Sequence, residues 1–596
     1  MVRAADAGDV QTGAAPMVAL LRVLTPRRRA AVGVQLVMMA LSAVSETVTL
    51  GAVVPFLALV ASGPTARFDL PLLDLSMDMH GASILFAAAA LAGMVVRIVT
   101  QVHATHLAFG IGGDLGGEVY RRILHQPYAW HARRSSSEAL ASLAKVNAVV
   151  SGVLNPLLQG AVAMLAALGI IVALMLIDPV VALSAAAAVG LLYGVTMLFV
   201  RHRVLRNGRL VAHAEALRIR AIQEGLGGIR DVLLEGSQQH FHAAFDQHNR
   251  RSRRAQASNA ILYATPRHCI ETAGLILIVV LAGWLADGQQ GISMAVPVLG
   301  ALALGAQRLL PQLQTVYFAW SNFRGNSAQL GDVLELVKLP MPSATLPVLP
   351  GSRTPPSQAA APLVRLEDVV FRYADNEQIV LDGINLEIAR GSRVGIIGQT
   401  GCGKSTLVDI VMGLLSPTHG RVWIDGQLRD ERDLADWQRR IAHVPQQIFL
   451  ADASIARNIA FGVPDEALDM ARVRTAAQMA QLESFVAALP DGFAATAGER
   501  GVRLSGGQRQ RIGIARALYR QAELLVLDEA TSALDDRTEA DVIETIAGLG
   551  RDLTIVMIAH RLSTLQGCDL IAEIDRGRIR RIGTPDEILS RPVQLA

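Results

Sequence analysis

Residues 392–415 read SRVGIIGQTGCGKSTLVDIVMGLL: a short apolar run, a glycine-rich turn and a second apolar run. This order predicts a β-strand, a loop and a helix. Glycines let backbone N–H groups turn toward an anion, and the N-terminus of the following helix adds its positive dipole. We therefore expect a phosphate-binding loop here. Its residues are Gly398, Gln399, Thr400, Gly401, Cys402, Gly403, Lys404, Ser405 and Thr406.

The lysine of this loop stands out from the composition. The chain contains three lysines, Lys145, Lys338 and Lys404, among 55 basic residues. A sequence that otherwise uses Arg keeps Lys where a compact, flexible point charge is needed. We expect Lys404 to reach the β- and γ-phosphates of a nucleotide and the Ser405 hydroxyl to bind Mg²⁺.

Two acidic residues, Asp528 and Glu529, end another apolar run, LLVLDE. The carboxyl end of a strand is where α/β sheets place ligand groups. Asp528 is suited to Mg²⁺, directly or through water. Glu529 is suited to the general base that orients and deprotonates an attacking water. Two merely solvated acids are the alternative, and the phosphate loop argues against it.

Residues 363–590 resemble the ABC ATPase family, because LSGGQ at 504–508 matches that family's signature motif. The resemblance implies that Ser505 and Gly507 contact the γ-phosphate of a nucleotide held by a partner subunit. A serine/glycine loop at a helix start is suited to this role, since it offers free N–H groups to an anion. The nucleotide-binding residues expected from this motif are Ser505, Gly506, Gly507 and Gln508.

Four further runs carry the same resemblance. Gln446 in HVPQQIFL looks like the Q-loop glutamine, which is both catalytic and metal-binding and links the site to the membrane domain. Asp535 in SALD resembles the D-loop. His560 in IAHRLST resembles the switch histidine that holds the γ-phosphate, with a buried strand-end histidine as the alternative. Tyr373 in VVFRY fits a platform that stacks on adenine, with a core tyrosine as the alternative.

No family motif is degraded, and one chain supplies one half of each ATP site. The resemblance therefore implies a C2 homodimer with ATP at its interface. Glu499, just before the signature, resembles the loop with which exporters sense the opposite membrane domain.

The first half of the chain is apolar enough to lie in a membrane. Hydrophobic residues make up 51% of the sequence, aromatic residues only 4%, and the mean hydropathy is +0.36. A helix of about 20 apolar residues crosses a hydrocarbon layer of about 30 Å. A buried core in a soluble protein is the alternative, but runs such as GLILIVVLAGWLA are apolar on all sides. The six stretches are 31–61, 82–108, 155–177, 180–200, 266–285 and 291–312.

Arginines predict the orientation of these spans. They precede the first span, follow the second and fourth, and precede the fifth, whereas the opposite loops contain one arginine, Arg67. Positive residues stay on the cytoplasmic side. Both termini are therefore expected in the cytoplasm, with the chain in a bacterial inner membrane. The arginines are Arg27, Arg28, Arg29, Arg121, Arg122, Arg133, Arg134, Arg201, Arg203, Arg206, Arg209, Arg250, Arg251, Arg253 and Arg254.

The sequence divides into four parts. They are an N-terminal segment at 1–29, a helical transmembrane domain at 30–330, a linker at 331–362 and a nucleotide-binding domain at 363–596. Strand-like runs alternating with helices predict an α/β fold with a largely parallel sheet for the last part. Polar helical stretches between spans are expected to extend into the cytoplasm, with turns near 127–137 and 233–240.

The cargo is predicted from charges inside the spans, which are functional candidates by default. Arg97, Arg267 and Arg308 fall near one inner-leaflet depth, where an arginine ring would suit a phosphate or pyrophosphate head group. Helix anchoring is the alternative, as is a pairing of Arg267 with Glu271 one turn on. Glu46, midway through the first span, is expected to face the bundle interior.

The membrane segments also look like one exporter branch, on runs such as SETVTLGAVVPFLALV and GGIRDVLLEGSQ. That branch includes lipid-linked oligosaccharide flippases and heterocyst polysaccharide exporters, which implies a phosphate-bearing lipid cargo. A multidrug exporter is the first alternative, although aromatic residues are scarce. A nucleotide-gated channel or regulator is another, but Glu529 and His560 favour turnover. A net charge of +3 gives no reason to expect nucleic acid, and three dispersed cysteines suggest neither disulfides nor zinc.

Overall fold

The chain forms two compact units. The computed structural model describes Arg22 and residues 24–62, 68–70, 75–134, 136–177, 179–286, 292–341, 361–373, 378–430, 433–498, 501–529, 544, 548–559 and 565–590. The first unit comprises Met1–Gln126 and Trp130–Pro342, and the second comprises Pro127–Ala129 and Ser343–Ala596.

The first unit consists mainly of long helices, and the apolar stretches expected to cross the membrane lie on them. A short π-helical segment, Val150–Leu154, connects α5 to α6, and two short strands, β1 (Phe68–Leu70) and β2 (Leu75–Met77), pair before α3. The helices are α1 (Pro26–Gly51), α2 (Val53–Ser62), α3 (Met79–Leu124), α4 (Tyr128–Ala132, in part), α5 (Ser136–Val149), α6 (Asn155–Ile177), α7 (Pro179–Gly227), α8 (Ile229–Leu234), α9 (Gln238–Ala286) and α10 (Ile292–Val337).

Four of these helices are much longer than a membrane is thick. α3 and α10 have 46 residues each, and α7 and α9 have 49 each. At 1.5 Å per residue they reach about 70 Å, more than twice the hydrocarbon thickness. Among the described residues, three helical segments are apolar enough to cross a membrane: Pro26–Leu57, Met79–Leu124 and Ala141–Leu176.

Local chemistry explains where the helices stop. Pro55 has no N–H to bond the carbonyl of Gly51, and α1 ends at Gly51. The polar helical stretch after the fourth span is interrupted at Gly228, between α7 and α8, and again at Gly236, between α8 and α9. The φ of 65° at Gly236 suits glycine. This break begins earlier than the expected turn at 233–240. α10 continues to Val337, inside the segment 331–362 expected to be linker, and residues 342–360 are not described.

Small residues bring two long helices together. A Cβ added to Gly208 on α7 would lie 1.9 Å from the carbonyl oxygen of Gly325 on α10. The two backbones therefore touch at this point, which glycine allows because it has no Cβ.

The second unit contains two sheets and short helices. The six-stranded sheet has the order β12-β11-β5-β10-β9-β8, with β12 alone antiparallel, and an antiparallel sheet has the order β4-β3-β6-β7. The strands are β3 (Val364–Arg372), β4 (Ile379–Ile388), β5 (Arg393–Gly398), β6 (His419–Ile424), β7 (Gln427–Leu428), β8 (Ile441–Val444), β9 (Leu524–Asp528), β10 (Thr554–Ile558), β11 (Leu570–Asp575) and β12 (Arg578–Gly583).

The helices of this unit cover the parallel sheet. β10 is buried along its whole length, and β5 is buried after its first residue. Strands covered on both faces are typical of parallel sheets in α/β proteins. The helices are α11 (Lys404–Val411), α12 (Leu434–Arg439), α13 (Ile455–Ile459), α14 (Met470–Met479), α15 (Glu483–Ala487), α16 (Gly506–Tyr519) and α17 (Pro585–Leu589).

Candidate active site and a charged cluster in the membrane unit

Four neighbouring parallel strands have their carboxyl ends at the same edge of the six-stranded sheet. β5, β10, β9 and β8 are adjacent in that order. Their carboxyl ends lead to the phosphate loop, to the segment before His560, to Glu529 and to Gln446. Ligand groups of open parallel sheets lie at this edge. Strand order thus gathers the candidate residues that are far apart in sequence.

Two glycines of the phosphate loop have no room for a side chain. Gly403 has φ of 107°, and a Cβ there would lie 2.8 Å from Leu381 Cδ2. Gly398 has φ of 149°, and a Cβ there would lie 2.2 Å from the carbonyl oxygen of Ile574. These conformations are left to glycine.

α11 begins directly after this loop. Gly403 is its N-cap residue and supplies no side-chain hydrogen bond. The first N–H groups of a helix have no partner within the helix. They are therefore available to an anion, and the loop fits a phosphate.

Lys404 lies folded against the loop it follows. Its Nζ donates to the carbonyl oxygens of Gly398 at 2.7 Å and Gln399 at 3.1 Å, and the residue is 7% exposed. An ammonium group has three donors, so one remains beyond these two carbonyls. Ser405, next in the chain, is exposed.

Tyr373 stands beside the phosphate loop rather than in the core. Its hydroxyl lies 3.3 Å from Oγ1 of Thr406, its ring meets Phe371 edge-on at 5.0 Å, and the residue is 40% exposed. The alternative of a core tyrosine is wrong. An exposed aromatic face remains for stacking.

The two candidate catalytic residues Gln446 and Glu529 contact each other. Gln446 Nε2 donates a hydrogen bond to Oε2 of Glu529. Glu529 has φ of 47°, an uncommon conformation for a residue other than glycine. Its backbone N–H donates to the carbonyl of Ile558 at 3.2 Å. Strained backbone of this kind concentrates at functional sites.

Asp409 is a charged residue of this site that sequence reasoning missed. Burial, followed by the nearby negative charge of Asp528, raises the pKa of Asp409 from 3.8 to about 6. The available signal was a single acid in the apolar run LVDIVMGLL. Asp409 therefore lies close enough to Asp528 for the two carboxyl charges to repel each other.

The signature motif begins a helix, as expected. Ser505 is the N-cap of α16: its Oγ accepts from the N–H of Gln508 at 3.2 Å, and its own N–H donates to Oε1 of Gln508 at 2.9 Å. This capping box fixes the start of the helix. Gly506 and Gly507 occupy the first turn, where N–H groups lack helical partners.

Three expected functional residues cannot be placed. Glu499, Asp535 and His560 lie outside the described residues.

The three arginines expected to form a ring fall into two separate groups. Glu46 accepts from Arg308 Nη1 at 2.8 Å and lies 3.2 Å from Arg97 Nη1. Arg267 instead pairs with Glu271 on its own helix, at 2.7 Å. The structure thus brings together two of the three arginines expected to form a ring, and the third follows the alternative interpretation. Glu46 is 4% exposed, inside the bundle as expected.

Comparison with known proteins finds family matches in both units of the chain. The family described as ABC transporter matches residues 381–532, and the family described as ABC transporter transmembrane region matches residues 34–294. An ATP-dependent lipid A-core flippase of Chromohalobacter salexigens is 34% identical over 410 residues, which cover 68% of this chain and 68% of that protein.

The chain belongs to the ABC transporter family. It is an exporter-type half-transporter that joins one membrane unit to one ATPase unit, and it couples ATP hydrolysis to transport. The expected fold class and family are confirmed.

Other relatives of this ABC half-transporter differ in name or in the share of their length that is matched. A mycobactin import ATP-binding/permease protein, IrtB, of Mycolicibacterium smegmatis is 31% identical over 519 residues, covering 84% of this chain and 86% of that protein. A lipid A-core flippase of Ralstonia nicotianae is 43% identical over 229 residues, which span only 39% of that relative.

A solved structure shares the fold of this ABC half-transporter. It is described as a bacterial Atm1-family ABC exporter with ATP bound, and it superposes with a TM-score of 0.78 at 24% identity. The likeness covers 94% of this chain and 96% of that chain.

Proposed function

We propose that a homodimer of this chain uses ATP to move a lipid-linked oligosaccharide, or a related lipid or polysaccharide, outward from the cytoplasmic leaflet of a bacterial inner membrane. The observation that carries the cargo class is the meeting of Arg97 and Arg308 in the membrane unit. Guanidinium groups bind phosphate with several charge-assisted hydrogen bonds. Arg267 is left out of this head-group site because it pairs with Glu271.

The names of relatives support a lipid cargo. Two of them are called lipid A-core flippases. IrtB, by contrast, is named for import, so the outward direction rests on the arginine distribution and the exporter-type architecture. A multidrug or general lipid exporter is the second candidate. It predicts stimulation by uncharged amphiphiles, which separates it from the first.

The ATPase residues have distinct proposed roles. Residues 398–406 and the N-terminus of α11 cradle the phosphates, and Lys404 exchanges loop carbonyls for phosphate oxygens. Tyr373 stacks on adenine. Glu529, oriented by Gln446, accepts a proton from the attacking water. His560 holds the γ-phosphate.

Ser405, Gln446 and Asp528 are the residues that would hold Mg²⁺. The Ser405 hydroxyl is exposed, Asp528 and Gln446 also carry oxygen atoms, and oxygen donors are what this ion prefers. When bound, Mg²⁺ neutralises part of the charge on the β- and γ-phosphates.

The homodimer follows from the signature. The start of α16 presents Gly506 and Gly507, and the family resemblance assigns this loop, with Ser505, Gln508 and Asp535, to the nucleotide of a partner subunit. A head-to-tail pair completes two sites with C2 symmetry.

Reconstitution in liposomes tests the proposed function. Lipid-linked oligosaccharide should stimulate ATPase activity and appear in the opposite leaflet, whereas the uncharged lipid alcohol should do neither. Stimulation by neutral amphiphiles alone would favour the multidrug candidate. ATP binding without turnover would favour a nucleotide-gated regulator.

A further inference from the structure

Glu46 lies at the meeting point of three helices of the membrane unit. It belongs to α1, Arg97 to α3 and Arg308 to α10. Arg97 Nη1 lies 3.2 Å from Oε1, and Arg308 Nη1 lies 2.8 Å from Oε2. Each carboxylate oxygen therefore has its own arginine.

Arg97 faces the bundle. It shares a helix face with the buried residues Gly93, Thr100 and Ala104, which lie at helical spacings of four, three and seven from it. Gly93 lies against α1, because a Cβ there would be 2.9 Å from Oγ of Ser45. The arginine is thus directed toward the interior of the membrane unit.

The cluster is unevenly exposed. The Glu46 side chain is 5% exposed, whereas the side chains of Arg97 and Arg308 are 45% and 28% exposed. Each guanidinium has five N–H donors. Within the described part of the chain, neither arginine has a second ion-pair or hydrogen-bond partner besides Glu46. The exposed side of the cluster, formed by the two arginines, therefore presents guanidinium N–H donors, and the buried Glu46 carboxylate lies behind them.

The charges do not balance. Two guanidinium groups and one carboxylate leave a net charge of +1. Charge in a membrane interior is costly unless it is paired, so an anion that approaches the open side is favoured. Two unopposed arginines at low dielectric would hold a phosphate strongly. A transport site must also release what it binds.

We propose that Glu46 is a built-in competitor for the arginine pair: it pairs with both Arg97 and Arg308 when no anionic head group is bound, offsetting one of their two charges, and it weakens their hold on the head group that binds. This inference rests on the proposed function, and it adds a residue that sets the affinity of the head-group site. Glu46 makes no contact with the cargo in this scheme. It acts through the two arginines.

Binding to the full-length protein in phosphatidylcholine nanodiscs tests this role. The probe is farnesyl diphosphate, with farnesol as the same chain without phosphate. Glu46→Gln should lower the Kd for farnesyl diphosphate about tenfold and leave farnesol binding unchanged. Glu46→Asp, whose carboxylate is one methylene shorter, should give an intermediate Kd and is decisive if Glu46→Gln does not fold.

Two further variants separate the possible outcomes. Asp114→Asn breaks an ion pair with Arg28 elsewhere in the unit and should leave both affinities unchanged. Arg308→Gln should weaken farnesyl diphosphate binding at least tenfold. If Arg308→Gln weakens binding but neither Glu46 variant tightens it, Glu46 is only a link between helices and the inference is wrong, while the head-group site stands. If neither Arg97→Gln nor Arg308→Gln changes the Kd, the head-group site and the inference fail together.

Discussion

Gln446 donates a hydrogen bond from Nε2 to Oε2 of Glu529, across a separation of 83 residues. The bond joins the second residue after β8 to the first residue after β9, and these two parallel strands are neighbours. It holds the candidate base in one orientation, with the Glu529 backbone in the left-handed region. The Gln446 amide therefore orients the Glu529 carboxylate, whatever Gln446 also contributes to metal binding.

Gln446→Ala should lower kcat for ATP hydrolysis about 10- to 100-fold while KM for ATP changes little, because the base loses its orientation and the phosphate loop is untouched. Steady-state ATPase assays measure both constants. Asp552→Asn, at an exposed position before β10, is the matched control and should behave as wild type. A rise in KM with normal kcat would show that Gln446 serves nucleotide binding instead.

Lys404→Arg should abolish hydrolysis although the charge is kept. Nζ of Lys404 fits between two loop carbonyls in a site that is 7% exposed, and the planar guanidinium is larger and differently shaped. ATPase activity and binding of a fluorescent ATP analogue are the measurements. Near-normal turnover would overturn the argument that a compact point charge is required.

Alkylation of Cys402 should inhibit the ATPase, and ATP should protect. Burial, partly opposed by the Lys404 charge, raises the pKa of the Cys402 thiol above its ordinary value of 9.0. Because the thiolate is the nucleophile, labelling should be slow at pH 7 and rise about tenfold per pH unit below that pKa. Inactivation rates from pH 7 to 9 test this.

Cys402→Ala provides the control for alkylation, since it should remain active and resist the reagent. Inactivation of that variant at the wild-type rate would assign the effect to another cysteine. Cys568 should react slowly with the reagent, because burial raises the pKa of its thiol to about 12.

Asp409→Asn should stabilise the nucleotide-free protein at high pH. A carboxyl with a raised pKa binds its proton more tightly in the folded state, so its ionisation costs stability as pH rises from about 4 to 6. The shift to about 6 corresponds to at most about 3 kcal/mol. The melting temperature of the variant should exceed that of wild type at pH 8 and match it near pH 4. An equal gain at both values would contradict this origin.

The sequence predicted the catalytic edge because each motif adjoins its own strand. The phosphate loop follows β5, and Asp528 ends β9. The contact between Gln446 and Glu529 could not be predicted from the sequence, because it depends on the order of β8 and β9 in the sheet. The same holds for Asp409, whose neighbour Asp528 lies on another element.

The shared level of Arg97 and Arg308 along the helices was predictable, but the direction of each side chain around its helix was not. Counting residues placed Arg97, Arg267 and Arg308 at one level. Only the packing of α1, α3 and α10 shows that Arg97 and Arg308 meet on Glu46. The pairing of Arg267 with Glu271 is local to α9, and the sequence already offered it as an alternative.

Transport by the reconstituted protein tests the central claim most directly. Proteoliposomes that contain a lipid-linked oligosaccharide in both leaflets would be supplied with external ATP and Mg²⁺. Only transporters whose ATPase units lie outside the liposome are then energised. Movement of the oligosaccharide into the lumenal leaflet, absent in the Glu529→Gln variant that still binds ATP, is the predicted result. ATP hydrolysis at full rate with no movement of the lipid, or movement equal in wild type and Glu529→Gln, would contradict the account.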